Sequence, residues 1–165
     1  MSSWIGPSQK PSWEPQTSRY AAYAWATPSS SASVGFFFKI GVTDTNFYSA
    51  FAIVAGGGDY AVLHIRGGAI YIETWTGTTT PIPISQDTWY WVTIQYNAGG
   101  THHLQVYETA GWTLLGTASN AANGNFKPTG IEIGRTGSES GFPSAYWYYD
   151  NVVVDYLNGT FPILP

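Results

Sequence analysis

A chain of 165 residues has the length of a single domain, and with 44% hydrophobic and 17% aromatic residues it can build a core, which excludes wholesale disorder. Six Lys and Arg against ten Asp and Glu give a net charge of -4, and no basic run is present to neutralise a phosphate backbone, so a nucleic-acid partner is not expected. The absence of cysteine excludes disulfides, thiolate metal sites and cysteine nucleophiles.

Residues 1–18 are predicted to form an extended arm. Three prolines in this segment lack a backbone donor and restrict the residues before them, which disfavours a helix or a regular strand. Trp4 and Trp13 are large apolar side chains in a segment that has no pattern for a core of its own. We therefore expect the arm to dock either on its own sandwich or on a neighbouring chain, and the proline spacing favours an extended reach to the neighbour.

Residues 19–157 are predicted to form one all-β domain, followed by a short tail over 158–165. Short runs rich in β-branched and aromatic residues alternate with turn residues, and no window shows a helical period. The predicted strands are 19–26, 33–41, 46–55, 60–66, 69–75, 88–96, 102–108, 112–117, 130–135 and 145–156. Ten short strands at this spacing predict an antiparallel sandwich or barrel.

Residues 60–75 have the form of a hairpin with a two-residue turn at Gly67-Gly68, which suits a primed turn. Such a turn determines which residues lie opposite each other. The predicted pairs are Ile65 with Ile70 and Leu63 with Ile72 on the core face, and His64 with Tyr71, Val62 with Glu73 and Tyr60 with Trp75 on the other face.

The alternation of apolar and polar residues along the predicted strands also indicates which residues form the core. The expected core residues are Phe36, Phe38, Ile40, Val92, Ile94, Leu104, Val106, Ile131 and Ile133. The residues between them in 88–108 are expected to face away from the core, and they are Trp91, Thr93, Gln95, His103, Gln105 and Tyr107.

Four segments occur in an order that resembles a known family. They are Asp87-Thr-Trp89-Tyr-Trp-Val-Thr-Ile94, Leu104-Gln-Val-Tyr107, Gly130-Ile-Glu-Ile-Gly134 and Tyr148-Tyr-Asp-Asn-Val-Val-Val154. This order resembles the laminin-G-like, concanavalin A-like jelly rolls, loosely over residues 33–156 and more tightly over 87–154. The resemblance implies an antiparallel jelly-roll β-sandwich. It does not determine the activity, because this fold carries lectins, glycosidases, adhesion domains and virion-surface domains.

The acidic residues do not favour catalysis. Glycoside hydrolysis needs two carboxylates about 5 to 9.5 Å apart, and catalytic relatives on this fold usually carry them at alternate positions of one strand. No two acidic residues of this chain are spaced that way, so we expect a protein that is not an enzyme, with a carboxylate pair from different strands left as the alternative. The segment Gly137–Gly141 lacks the central serine of a nucleophile elbow.

The sequence contains one candidate metal ligand. His102 and His103 are adjacent and would point to opposite faces of a strand, so they cannot chelate one ion. The laminin-G-like resemblance implies a calcium site, with Asp150 as the candidate ligand and Asp44 or Asp59 as partners. The alternative is that Asp150 braces backbone amides of a loop. No other cofactor is expected.

The outer face of the predicted hairpin carries the chemistry of a sugar site. Sugars stack their C–H faces on aromatic rings, and polar side chains bind their hydroxyls. The predicted ligand-binding residues are Tyr60, His64, Arg66, Tyr71, Glu73 and Trp75, with Trp91 and Gln95 alongside. The alternative is that these aromatic residues pack under loops, against the arm or against another subunit.

The sequence therefore predicts a non-catalytic, lectin-like recognition module that binds carbohydrate or a cell-surface partner. The alternative is a structural protein on the surface of a virion or other large assembly, as a capsid decoration or fibre component, which low charge and apolar proline-rich termini favour. Self-assembly or a particle surface would then replace the glycan as partner. No apolar run approaches the roughly 20 residues of a membrane span, and no signal-peptide pattern is present. We expect an extracellular or virion-surface location.

Overall fold

A computed structural model describes residues 3–4, 19–41, 47–55, 58–74, 77–121, 125–135, 147–157 and 161–162. Those residues form strands and turns, with no helix long and apolar enough to cross a membrane. The strands are β1 Ser3–Trp4, β2 Arg19–Ala24, β3 Ser31–Ile40, β4 Phe47–Ala55, β5 Gly58–Arg66, β6 Ala69–Thr74, β7 Gly77–Thr78, β8 Ile82–Pro83, β9 Tyr90–Asn97, β10 Thr101–Glu108, β11 Thr113–Ala121, β12 Pro128–Arg135 and β13 Trp147–Asp155. All ten predicted strands are present. The sequence did not predict β1, β7 and β8, because each is only two residues long and two residues are too few to show an alternating pattern.

The strands form two sheets, which confirms the predicted antiparallel β-sandwich. Sheet A has the order β1-β13-β3-β9-β10-β11. Sheet B has the order β2-β12-β4-β5-β6-β7, and β8 also pairs with β6. The non-consecutive neighbours show that the chain crosses repeatedly between the sheets, so residues distant in sequence share each face.

The predicted core lies between the sheets. Eight of its nine residues are buried, and Ile133 is partly buried against them. Phe36 of sheet A stacks on Phe51 of sheet B with ring centroids 5.0 Å apart, so aromatic contact joins the two inner faces. Burial of these alternate positions provides the main driving force for packing the sheets.

The Gly67-Gly68 hairpin has the predicted register. Both glycines have positive φ, 58° and 74°, as a type I′ turn requires. The described pairs are Val62 with Glu73, Leu63 with Ile72, His64 with Tyr71 and Ile65 with Ile70. The remaining predicted pair depends on Trp75, which lies outside the described residues.

The N-terminal arm contributes a strand to its own domain. Ser3 lies opposite Val154 and Trp4 opposite Val153, so β1 extends sheet A beyond β13. For these two residues the predicted docking on a neighbouring chain is wrong, because the open edge of β13 offers backbone hydrogen bonds within the same molecule. Trp13 and the rest of the arm lie outside the described residues.

Candidate functional site

A polar cluster lies on the outer face of sheet B, where adjacent strands bring together Ser49 of β4, His64 of β5, and Tyr71 and Glu73 of β6. The rings of His64 and Tyr71 lie side by side, with centroids 5.6 Å apart. Leu63 and Ile72 point the opposite way, into the core. The hairpin register therefore determines the cluster, since a slip of one residue would exchange the two faces.

His64 bridges a hydroxyl and a carboxylate. Its Nδ1 lies 3.2 Å from Ser49 Oγ, and its Nε2 lies 3.2 Å from Glu73 Oε2. An ionised carboxylate only accepts hydrogen bonds, so the consistent assignment has His64 Nε2–H donating to Glu73 and Ser49 Oγ–H donating to Nδ1. The imidazole thereby fixes the position of the Glu73 carboxylate.

Exposure distinguishes the roles within the cluster. Ser49 is 4% and His64 is 6% exposed, whereas the Glu73 side chain is 49% exposed. Tyr71 is half-buried and Arg66 is exposed. Among the described side chains of this face, the Tyr71 ring, the Glu73 carboxylate and Arg66 are therefore the ones presented to a ligand. His64, predicted as a ligand contact, instead lies beneath them as a positioning residue.

Two predicted site residues have side chains outside the described part of the chain, namely Tyr60 and Trp75. Sequence reasoning missed Ser49. It lies 15 residues before His64 in a different strand, and only the β4–β5 register places the two opposite each other. No local motif signals such a contact.

Trp91 and Gln95 do not lie beside the cluster. Both belong to β9, which lies within sheet A, so their outer face is on the opposite side of the sandwich. Trp91 is also 0% exposed, and its ring lies where a Cβ at Gly35 would be. The prediction of one continuous face was wrong, because alternation shows which residues share a side of a strand but not which sheet the strand joins.

Asp150 makes one contact of the kind that the alternative interpretation describes. Its Oδ1 accepts a hydrogen bond from the backbone N–H of Asn151 at 2.8 Å, where β13 bulges. Within the described ranges, no three His, Asp or Glu side chains form a group that could hold a metal ion. Asp44 and the side chain of Asp59 lie outside those ranges, so the calcium site stays a prediction.

The adjacent histidines occupy opposite faces, as predicted. His102 is buried inside the sandwich and stacks on Tyr96, with centroids 4.3 Å apart. His103 lies on the outer face of sheet A, where its ring contacts Phe161 of the C-terminal tail. The two imidazoles therefore do not form one site.

Comparisons with known proteins support the fold. No family model matches the chain, and no curated protein matches it. A botulinum neurotoxin serotype D binding domain is similar with a TM-score of 0.58 at 15% identity, over 84% of this chain and 37% of that one. An endo-beta-1,4-glucuronan lyase from the fungus Trichoderma reesei is similar with a TM-score of 0.58 at 14% identity, over 85% and 74% of the respective chains.

A third similar structure is the binding domain of botulinum neurotoxin DC in complex with SialylT, with a TM-score of 0.51 at 13% identity over 82% of this chain and 35% of that one. The protein thus spans little more than a third of the neurotoxin chains it resembles. At these identities the likeness establishes an all-β sandwich fold. The narrower resemblance to laminin-G-like domains is not supported by a match to a family model.

Proposed function

We propose that the protein is a non-catalytic recognition module that binds carbohydrate through the outer face of sheet B. The observation that carries this proposal is the half-exposed Glu73 carboxylate, held by His64 beside the Tyr71 ring. A pyranose can stack a C–H face on Tyr71 while its hydroxyls donate to Glu73 and accept from Arg66. The hydrogen bond to His64 reduces the entropy that Glu73 loses on binding.

The similar structures support a binding role without determining it. Botulinum neurotoxin type C, whose cell entry depends on interaction with two ganglioside molecules, is among them, with a TM-score of 0.50 at 16% identity. The burial of the Ser49–His64 pair supports the non-catalytic role. An incoming carbonyl group would need access to Ser49 Oγ, which is almost fully covered.

A glycan array with calcium and with chelator tests the proposal. We expect the wild-type protein to bind at least one glycan. Glu73→Gln should weaken that binding by about tenfold, because a charge-assisted acceptor is lost. Glu108→Gln, which removes the same charge from sheet A, is the matched control and should bind as the wild type does.

An array without hits under both conditions, or equal binding by wild type and Glu73→Gln, would overturn the proposal. Light scattering on the same sample addresses the alternative of a structural protein. A stable trimer or larger assembly together with an empty array favours a component of a virion or other large particle, and the aromatic residues would then be assigned to subunit contact.

A further inference from the structure

The outer face of sheet A carries a row of aromatic side chains, Trp112, Phe37, Trp89 and Tyr148, which we call the aromatic row. Successive ring centroids along it are 6.1, 6.5 and 6.4 Å apart, and each contact is edge-to-face. The four rings come from the β10–β11 turn, β3, the segment before β9, and β13. They lie together because β13, β3, β9 and β10 are neighbours in sheet A.

The two ends of the row are open to solvent. Trp112 is 49% and Tyr148 is 46% exposed, whereas Phe37 between them is half-buried. Trp112 has a φ of 51°, a left-handed conformation that is unusual for a large side chain and is found where the surrounding structure holds it. The edge-to-face contacts restrict the orientations of the rings before any ligand arrives, which lowers the entropy cost of binding.

A donor and an acceptor lie beside the rings. Lys39 Nζ is 4.5 Å from the Tyr148 centroid and 5.2 Å from the Trp89 centroid. Asp150 lies two residues after Tyr148 in β13, so both side chains are on the same face of the strand, and Asp150 lies opposite Phe37 of β3. Among the described residues, the cation Lys39 and the anion Asp150 flank the aromatic surface, which favours a neutral ligand that has both hydroxyl donors and acceptors.

The exposed area fits a small ligand better than a protein. Tyr and Trp bury roughly 150 to 250 Å² each when fully covered, so two half-exposed rings offer about 100 Å² apiece. Leu114 and Leu115, two and three residues after Trp112 in the chain, are also exposed. The total is well below the roughly 800 Å² per partner of a stable protein interface, whereas a pyranose ring needs only one or two ring faces.

We propose that the aromatic row is a second carbohydrate site, which binds neutral pyranose rings by stacking on Trp112 and Tyr148, with hydroxyls hydrogen-bonded by Lys39 and Asp150. It lies on the opposite side of the sandwich from the sheet B cluster and shares no residue with it. It therefore does not rest on the function proposed for that cluster. Two sites facing opposite directions would let one molecule link two glycan chains.

Affinity electrophoresis tests this site in gels that contain a soluble neutral polymer (glucan, mannan, xylan or galactan) or, for comparison, the acidic polymer polygalacturonate. The wild-type protein should be retarded by at least one neutral polymer. Trp112→Ala and Tyr148→Ala should each reduce the apparent affinity by about tenfold, because each removes a stacking surface. Leu157→Ala, which removes an exposed apolar side chain outside the row, is the control and should migrate as the wild type does. Unchanged melting temperatures would show that the variants are folded.

The outcomes separate the two proposals. Retardation lost in Trp112→Ala but kept in Glu73→Gln establishes the aromatic row and leaves the sheet B cluster without support. The reverse pattern overturns the aromatic row as a sugar site. Migration unaffected by all four neutral polymers also overturns it, and retardation by polygalacturonate alone overturns the choice of a neutral sugar.

Discussion

His102 is a histidine that folding keeps neutral. It is fully buried, its Nδ1 accepts the backbone N–H of Asn97 at 3.2 Å, and its Nε2 has no hydrogen-bond partner among the described residues. Burial, with a smaller contribution from neighbouring His103, lowers the pKa of His102 from 6.5 to about 4. The unfolded chain therefore binds a proton at a higher pH than the folded chain does.

The lowered pKa predicts a loss of stability in acid. As the pH falls from about 6.5 towards 4, His102 becomes protonated in the unfolded state but stays neutral in the folded state. The free energy of unfolding should therefore fall by up to about 3 kcal/mol. His102→Gln should flatten this dependence in urea titrations at a series of pH values. His103→Gln, on the solvent side of the same strand, should retain most of it. Parallel pH profiles for wild type and His102→Gln would contradict the assignment.

The β5–β6 hairpin is the element on which the sheet B cluster depends. Its turn needs a left-handed backbone at Gly67, where φ is 58° and no atom would obstruct a side chain. The backbone conformation, rather than a lack of space, therefore limits which residue types can replace Gly67.

We expect Gly67→Val to reduce stability by about 1 to 3 kcal/mol, because a β-branched residue is strained at positive φ. Gly67→Asn should cost much less, since Asn adopts the left-handed region readily. Thermal unfolding of both variants measures the difference. If the two substitutions were equally destabilising, the primed turn would be wrong, and with it the register that aligns His64 with Tyr71.

At the scale of the whole molecule, a hydrogen bond from Tyr149 to Ala50 connects the two sheets across the core, in addition to the bonds of Asn120 to Thr74 and Gly77. Ala50 is skipped in the β4–β5 register, and its carbonyl accepts a hydrogen bond from the Tyr149 hydroxyl of sheet A. Tyr149 also packs on Phe36 and Phe38. Burial raises the pKa of Tyr149, so the phenol remains a donor at all physiological pH values.

Tyr149→Phe should cost about 1 to 3 kcal/mol of unfolding free energy, because it leaves the buried Ala50 carbonyl without this donor. Tyr148→Phe is the matched control one residue away, on the exposed outer face, and should be nearly neutral. Chemical denaturation of both proteins compares them directly. Equal midpoints would show that the bond between the sheets contributes nothing measurable.

Much of this organisation was predictable from local pattern. Alternation separated Leu63 and Ile72 from His64 and Tyr71, and the Gly-Gly turn determined their register, because both signals act within a span of about 16 residues. The ten longer strands and nearly all of the core followed for the same reason. The three short strands escaped prediction because two residues carry no periodic information.

Apart from the β5–β6 hairpin, the order of the strands within each sheet was decided by the tertiary structure. Alternation placed Trp91 and Gln95 on an outer face, but the strand order assigned that face to the opposite sheet and buried Trp91. The aromatic row, with residues from 37 to 148, depends in the same way on pairings between strands far apart in the chain. Ser49 lies beside His64 because of the β4–β5 register, which shifts just after Ser49. Periodicity within a strand is a local property of the sequence, whereas sheet order results from long-range packing, which no local pattern encodes.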